Sequence, residues 1–203
     1  MAGTLKVGGK VLATHDSGTD LVSWGAGVPT GAVLNIVHTA IKTSHELTTP
    51  GYGNFADIKN GDSGDITLAA TITLKSPNNK ILIFGYVSCS NVNELEHTAI
   101  RVVRGNSVSS SSNDTSTSIV GVGDNIGSRG RATTAHHTPY ATNRSIVAPI
   151  NTVDQPGTIG PHIYKVQFYS GSSNFYLNRN EAYTDSDHYM TGQSCITLME
   201  ISA

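Results

Sequence analysis

Charge is scarce in this chain of 203 residues. Asp, Glu, Lys and Arg make up 14% of it, against about 25% in an ordinary globular domain. The net charge is −2, so the electrostatic footprint that nucleic-acid binding requires is missing. Aromatic residues supply only 6%. No apolar stretch approaches the ~20 residues of a membrane helix. The first sixteen residues, MAGTLKVGGKVLATHD, alternate polar and apolar positions and do not form the continuous apolar region of an export signal. Cys89 and Cys195 are the only cysteines. Both fall inside apolar strand patterns and read as small buried hydrophobes, although a disulfide between them stays open.

What the chain has instead is Ser, Thr, Asn and Gly, about two fifths of all residues. That composition suits turns and surfaces that hydrogen-bond through hydroxyls and amides. Strand signals recur throughout, and helical periodicity is nearly absent. GAVLNIVHTAIKT (31–43) is β-branched and apolar over a strand's length. DITLAATITLKS (65–76) alternates strictly, with Ile66, Leu68, Ala70, Ile72 and Leu74 on one face. KILIFGYVSCS (80–90) is apolar almost throughout, which predicts a strand covered on both faces. The turn SPNN between these last two predicts a hairpin, and YSGSSN (169–174) predicts a second. NELEHTAIRVV (93–103) starts like a helix but reads equally well as a strand. Residues 104–145 form a long polar stretch interrupted by SIVGVG, and long segments of that kind are usually functional loops.

About eight or nine strands joined by turns, with no intervening helices, point to an all-β antiparallel sandwich or jelly roll over residues 29–203. The closing SCITLMEIS places Ile196, Leu198 and Ile201 in an apolar strand. Such a strand is expected in the middle of a sheet, held by ladders on both sides. Residues 1–28 are short β-like pieces that cannot bury enough surface alone. They contain the single Trp24, which fits either an interface anchor or a plug beneath the sandwich.

Chemistry is sparse. His136 and His137 are adjacent, so in a strand they point to opposite faces and cannot share an ion within one chain. Only a threefold axis would bring copies of one of them together. Asp185 and Asp187 have a calcium-loop spacing without the Gly and distal Glu of that loop. Glu94 and Glu96 carry no catalytic context. No nucleophile elbow, phosphate loop, dinucleotide fingerprint or zinc-protease motif is present, so no enzyme, cofactor or resident metal is expected. Loop residues Arg129, Arg131, His136, His137, Tyr140 and Tyr183 combine planar rings with donors, a set suited to sugars or polar protein surfaces.

In order, PTGAVLNIVHTAIKT, ITLAATITLKSPNNKILIFGYVS, IYKVQFYSGSSNFYLNR and the terminal SCITLMEIS resemble the C-terminal domain of tail-fibre-like virion proteins of marine and cyanobacterial phages. The resemblance implies a jelly-roll head domain that forms a homotrimer on the outside of a virion, with other virion proteins and a host-surface glycan or protein as partners. Ile196, Leu198 and Ile201 would then serve the trimer interface or the core. Residues 1–28, with Leu5, Val7, Leu12 and Trp24, would attach to the particle. The Ser-rich stretch from Asn106 to Arg144 is longer than the family pattern, and the missing fibre shaft favours a short fibre, a head fibre or a capsid-surface protein over a long tail fibre. The alternatives are a capsid decoration protein without a receptor and a free lectin-like module. A depolymerase is disfavoured because no β-helix repeat occurs.

Overall fold

A computed structural model describes residues 3–16, 21–24, 28–48, 54–60, 67–91, 97–105, 118–137, 145–171, 174–180 and 191–203. The described residues contain no helix. They form fifteen strands: β1 (Gly3–Val7), β2 (Lys10–Asp16), β3 (Leu21–Trp24), β4 (Val33–Ile41), β5 (His45–Thr48), β6 (Ala56–Asp57), β7 (Ala69–Leu74), β8 (Lys80–Asn91), β9 (His97–Gly105), β10 (Ser118–Val120), β11 (Thr134–His137), β12 (Ile146–Asp154), β13 (Gly160–Ser170), β14 (Asn174–Leu177) and β15 (Ser194–Ile201). The count exceeds the eight or nine of the sequence pattern because β5, β6, β10 and β11 are too short to show periodicity and β1–β3 lie in the front segment of short β-like pieces.

All pairings are antiparallel. β1, β2 and β3 form their own three-stranded meander. The remaining strands make two sheets that face one another. In the first, β9 and β13 lie at the centre, with β10 and β11 along the free side of β9 and β6 and β7 along that of β13. In the second, β8 is central. β12 runs along one side of it, and β15 followed by β14 along the other, with β4 outside β15 and β5 outside β14. The chain crosses repeatedly between the sheets, giving a sandwich of jelly-roll type.

The core lies where the two inner faces meet. Ile72, Leu74, Ile100, Val102, Tyr164, Val166 and Phe168 come from the first sheet and Ile81, Ile83, Val87, Ile150, Phe175, Ile196 and Leu198 from the second, all essentially inaccessible. Phe168 stacks on Phe175 across the gap, with centroids 4.3 Å apart. Burial of the described part of the 65–76 run follows its alternation, with Leu68, Ala70, Ile72 and Leu74 all inside. Ile66 lies outside the described residues.

Neither predicted hairpin forms. β7 belongs to the first sheet and β8 to the second, as do β13 and β14 respectively. The SPNN turn is present, with Asn79 N–H donating to Ser76 O at 3.2 Å, but it carries the chain from one layer to the other. Alternation records which side chains are buried and not which strand lies alongside. Two strands with matching apolar faces can therefore bury them by facing each other as well as by pairing. The 93–103 ambiguity resolves as a strand from His97, while residues 93–96 lie outside the described part.

β15 is laddered on both sides, to β4 and β8. Ser202 continues the hold, its N–H donating to Ala32 O and its carbonyl accepting from Gly31 N–H, each at 2.9 Å. Buried Glu200 accepts through Oε1 from Lys75 N–H and Asn79 Nδ2, both at 2.7 Å. The last strand thereby fixes the turn that joins the two sheets.

β8 changes partner along one edge, pairing with β15 up to Tyr86 and with β14 from Cys89. Asn178 closes the gap. Its N–H donates to Ser88 O (2.8 Å), and its carbonyl accepts from Gly192 N–H (2.8 Å). Its Nδ2 donates to Ile41 O (2.9 Å) and Thr43 O (3.0 Å), while Oδ1 accepts from Ser194 Oγ (2.7 Å). Ser194 Oγ in turn accepts from Ser88 N–H (3.0 Å). Asn178 is fully buried and sits at φ 58°, the only described non-glycine with positive φ, a region Asn tolerates better than other side chains. Asn178→Ala is expected to cost about 3 kcal/mol, from lost side-chain bonds, stranded carbonyls and left-handed strain. Asn178→Gly should cost about 1 kcal/mol less, because glycine accepts this φ. Urea unfolding reads both, and two variants within about 0.5 kcal/mol of the parent would contradict this role.

Candidate functional site

The outward face of the first sheet is polar and covered. On β13, Lys165 and Gln167 point away from the core, opposite Tyr164, Val166 and Phe168, yet both are fully buried. Asp57 compensates them. Its Oδ2 accepts from Lys165 Nζ at 2.9 Å and its Oδ1 from Gln167 Nε2 at 2.8 Å. Gln167 Oε1 accepts from Arg101 Nε at 2.8 Å, and the Arg101 guanidinium lies 4.1 Å from the centroid of the Phe55 ring. Partial burial lowers the basicity of Arg101, and the charge of Asp57 works against that shift. Phe55 also meets Tyr169 at 5.8 Å in a tilted pair.

This network borders a cavity of about 800 Å³. Its walls include Phe55, Tyr169 and the small residues Ala99, Gly130, Ala132 and Ala135. Residues 121–133 fold over it as a compact lobe. Gly123 N–H donates to Ala132 O, Arg129 N–H to Ile126 O and Arg131 Nε to Gly123 O. Gly121, at φ 57°, lets the lobe leave β10 where a Cβ would overlap Thr152.

The outward face of the second sheet is different. Register aligns Ile36, Met199, Leu82 and Val153 in one row across β4, β15, β8 and β12. His38, Thr197, Phe84 and Asn151 form the next row, and Ala40, Cys195, Tyr86 and Pro149 the third. None of these side chains is Asp, Glu, Lys or Arg. Ile36 and Val153, at the two ends of the first row, are 55% and 52% exposed, and Val147, six residues along β12 from Val153, is 59% exposed. A groove of about 600 Å³ follows the middle row, where His38 Nδ1 and Thr197 Oγ1 lie 2.8 Å apart. At the groove, Gly85 permits close approach of β8 to β15, since a Cβ there would stand 2.1 Å from Cys195 O. β8 is thus fully buried on its inner side only, and Leu82, Phe84 and Tyr86 are half-buried on its outer side.

The residues singled out by sequence fall as follows. Arg129 and His136 both line the cavity. Arg129 is exposed and its guanidinium has no hydrogen-bond or ion-pair partner among the described residues, while His136 Nε2 is buried with none. Arg131 is exposed and fastened to the lobe. His137 pairs with His97 through the β11–β9 ladder. Tyr140, Tyr183, Asp185 and Asp187 lie outside the described residues. Ile196 and Leu198 are buried within the single chain and Ile201 is half-buried. On its other side β15 carries Cys195, Thr197 and Met199, of which Cys195 and Thr197 are themselves buried and Met199 alone is partly open. Leu5 and Val7 on β1 are 58% and 61% exposed, Leu12 on β2 is half-buried, and the Trp24 backbone pairs with Ala13 in the meander. Cys89 and Cys195 are free thiols on opposite faces of the second sheet, which rules out a bond between them. Burial pushes the Cys89 thiol up to about 12. Phe55, His97, Ala99 and Tyr169 had no local signal, because three distant segments bring them together.

No protein-family model matches the chain, and no curated protein matches it in sequence. Among solved structures, the chain is similar to the infectious bursal disease virus VP2 subviral particle, with TM-score 0.43 and 9% identity over 92% of this chain. It is also similar to the structure of the Gx strain of infectious bursal disease virus, with TM-score 0.46 and 8% identity over 92% of this chain. In each case the match spans 36% of the other chain, so this chain corresponds to little more than a third of its length.

The buried Lys165–Asp57 pair supplies a test of the covered polar face. Lys165→Met leaves Asp57 without its main countercharge and is expected to lose about 3–5 kcal/mol. Lys165→Met combined with Asp57→Ala should recover part of that loss, as read by urea unfolding of both. A double variant no more stable than the single one would show that the pair is not coupled.

Proposed function

We propose that the chain is the head of a short fibre on the surface of a virus particle. It closes as a homotrimer, attaches through residues 1–28 and contacts the host surface without catalysing a reaction. The observation that carries this reading is the outer face of β4, β15, β8 and β12, whose three central rows hold no Asp, Glu, Lys or Arg and whose first row, Ile36, Met199, Leu82 and Val153, is wholly apolar. Contiguous apolar surface of that kind on a soluble β-sandwich marks a site of association. Covering the exposed parts of Ile36, Val147 and Val153 is worth about 1 kcal/mol each. A closed ring removes such faces from water without propagating a filament. The sequence resemblance to tail-fibre-like proteins supplies the virion setting, and the separate β1–β3 meander, with Leu5 and Val7 exposed, suits a segment completed by a partner. Threefold display raises the avidity of weak contacts by about 10² to 10⁴.

A variant carrying Ile36→Lys and Val153→Lys places two charges on this face without touching the core. It is expected to remain folded by circular dichroism and to sediment as a monomer, where the parent sediments as a trimer at micromolar concentration. A parent that is monomeric, or a variant that still forms trimers, would refute association through this face.

A further inference from the structure

We propose that the cavity beneath the 121–133 lobe binds a carboxylated pyranose, a uronic-acid unit of a surface polysaccharide. The proposal rests on the host-binding reading above and gives that binding a site and a ligand class. Three observations carry it, beginning with shape. The cavity, at about 800 Å³, falls within the range of built ligand sites, about 300–1,000 Å³. Ala99, Gly130, Ala132 and Ala135 are among its lining residues, and their small size leaves room between the larger side chains for a six-membered ring.

The second is the wall. Phe55 and Tyr169 form a tilted aromatic pair, and the Arg101 guanidinium packs over the Phe55 ring. A fixed aromatic surface takes up the apolar C–H face of a pyranose at little entropic cost.

The third is charge. No Asp or Glu is among the lining residues. Beside the cavity, Asp57 accepts from Lys165 and Gln167, and Gln167 accepts from Arg101. Arg129 adds a further cation at the mouth, exposed and with no ion-pair partner among the described residues. His136, which also lines the cavity, contributes a buried Nε2 without a hydrogen-bond partner. The Arg129 guanidinium selects an anionic ligand over a neutral one, since its fork is the natural partner of a carboxylate.

Methyl β-D-glucuronide and methyl β-D-glucoside differ only in carrying a carboxylate or a hydroxymethyl group, so they isolate the charge requirement. Titration of each into the protein labelled at alanine methyls is read by NMR. The glucuronide is expected to shift Ala99, Ala132 and Ala135 saturably and to bind at least about fivefold more tightly than the glucoside. Arg129→Ala, at an exposed position, should remain folded and lose most of that preference, and Arg129→Lys should keep part of it. Absence of shifts at these methyls, equal affinity for the two sugars, or an unchanged preference in Arg129→Ala would each overturn the proposal. A monomeric parent that binds the glucuronide refutes the trimer and leaves the site standing. A trimer indifferent to both sugars refutes the site alone.

Discussion

The architecture depends on one buried amide. β8 is long enough to serve two partners in succession along one edge, and the point of exchange would leave backbone groups of the core strand without a ladder. Buried, unpaired groups of that kind are expensive. Asn178 takes the place of the missing strand, using main-chain and side-chain groups together, with Ser194 completing the exchange at Ser88. Because the amide also reaches the carbonyls of Ile41 and Thr43, it ties the end of β4 to the same point. Four strands then form one continuous surface, and the apolar rows on its outer face exist only because that surface is unbroken.

The two outer faces solve different problems. On the first sheet, charge is drawn inward, with Lys165, Gln167 and Asp57 satisfying one another beneath the Phe55 segment. A covered polar layer is costly unless complete, and it lies next to the row of Ala99 and Tyr169 that lines the cavity. On the second sheet, the outer side chains are apolar or neutral and partly open to water, which favours association by fit over association by charge. A surface with so few charges also makes either interaction weakly dependent on salt, apart from the contribution of Arg129.

Much of the class of fold was legible in the sequence. Strict alternation in the 65–76 run and the apolar terminal strand identified buried faces, and β15 does lie between two partners. The pairing was not legible. SPNN and YSGSSN have the chemistry of tight turns and do turn the chain, but a turn does not specify whether the next strand lies beside the last or across from it. That choice is made by long-range partners such as β13 for β7 and β15 for β8. The same limit applies to the cavity. Arg129 and His136 stand out in a polar loop, whereas Phe55, Ala99 and Tyr169 look like ordinary strand or loop residues until β9, β13 and the lobe converge. Ile196 and Leu198 read equally as core or interface, and only the sheet register separates them from Cys195, Thr197 and Met199, which alternate to the other face. Asn178 has no signal at all, since its role is defined by a gap between strands far apart in sequence.

Oxidative footprinting of Met199 tests the central claim most directly. Met199 lies on β15 in the apolar row with Ile36, Leu82 and Val153 and is half-exposed in the single chain, so its thioether is open to oxidation to the sulfoxide. If copies associate through this face, Met199 is protected at micromolar protein concentration and becomes oxidised on dilution while the fold persists. Oxidation at one rate across the whole concentration range would contradict the account.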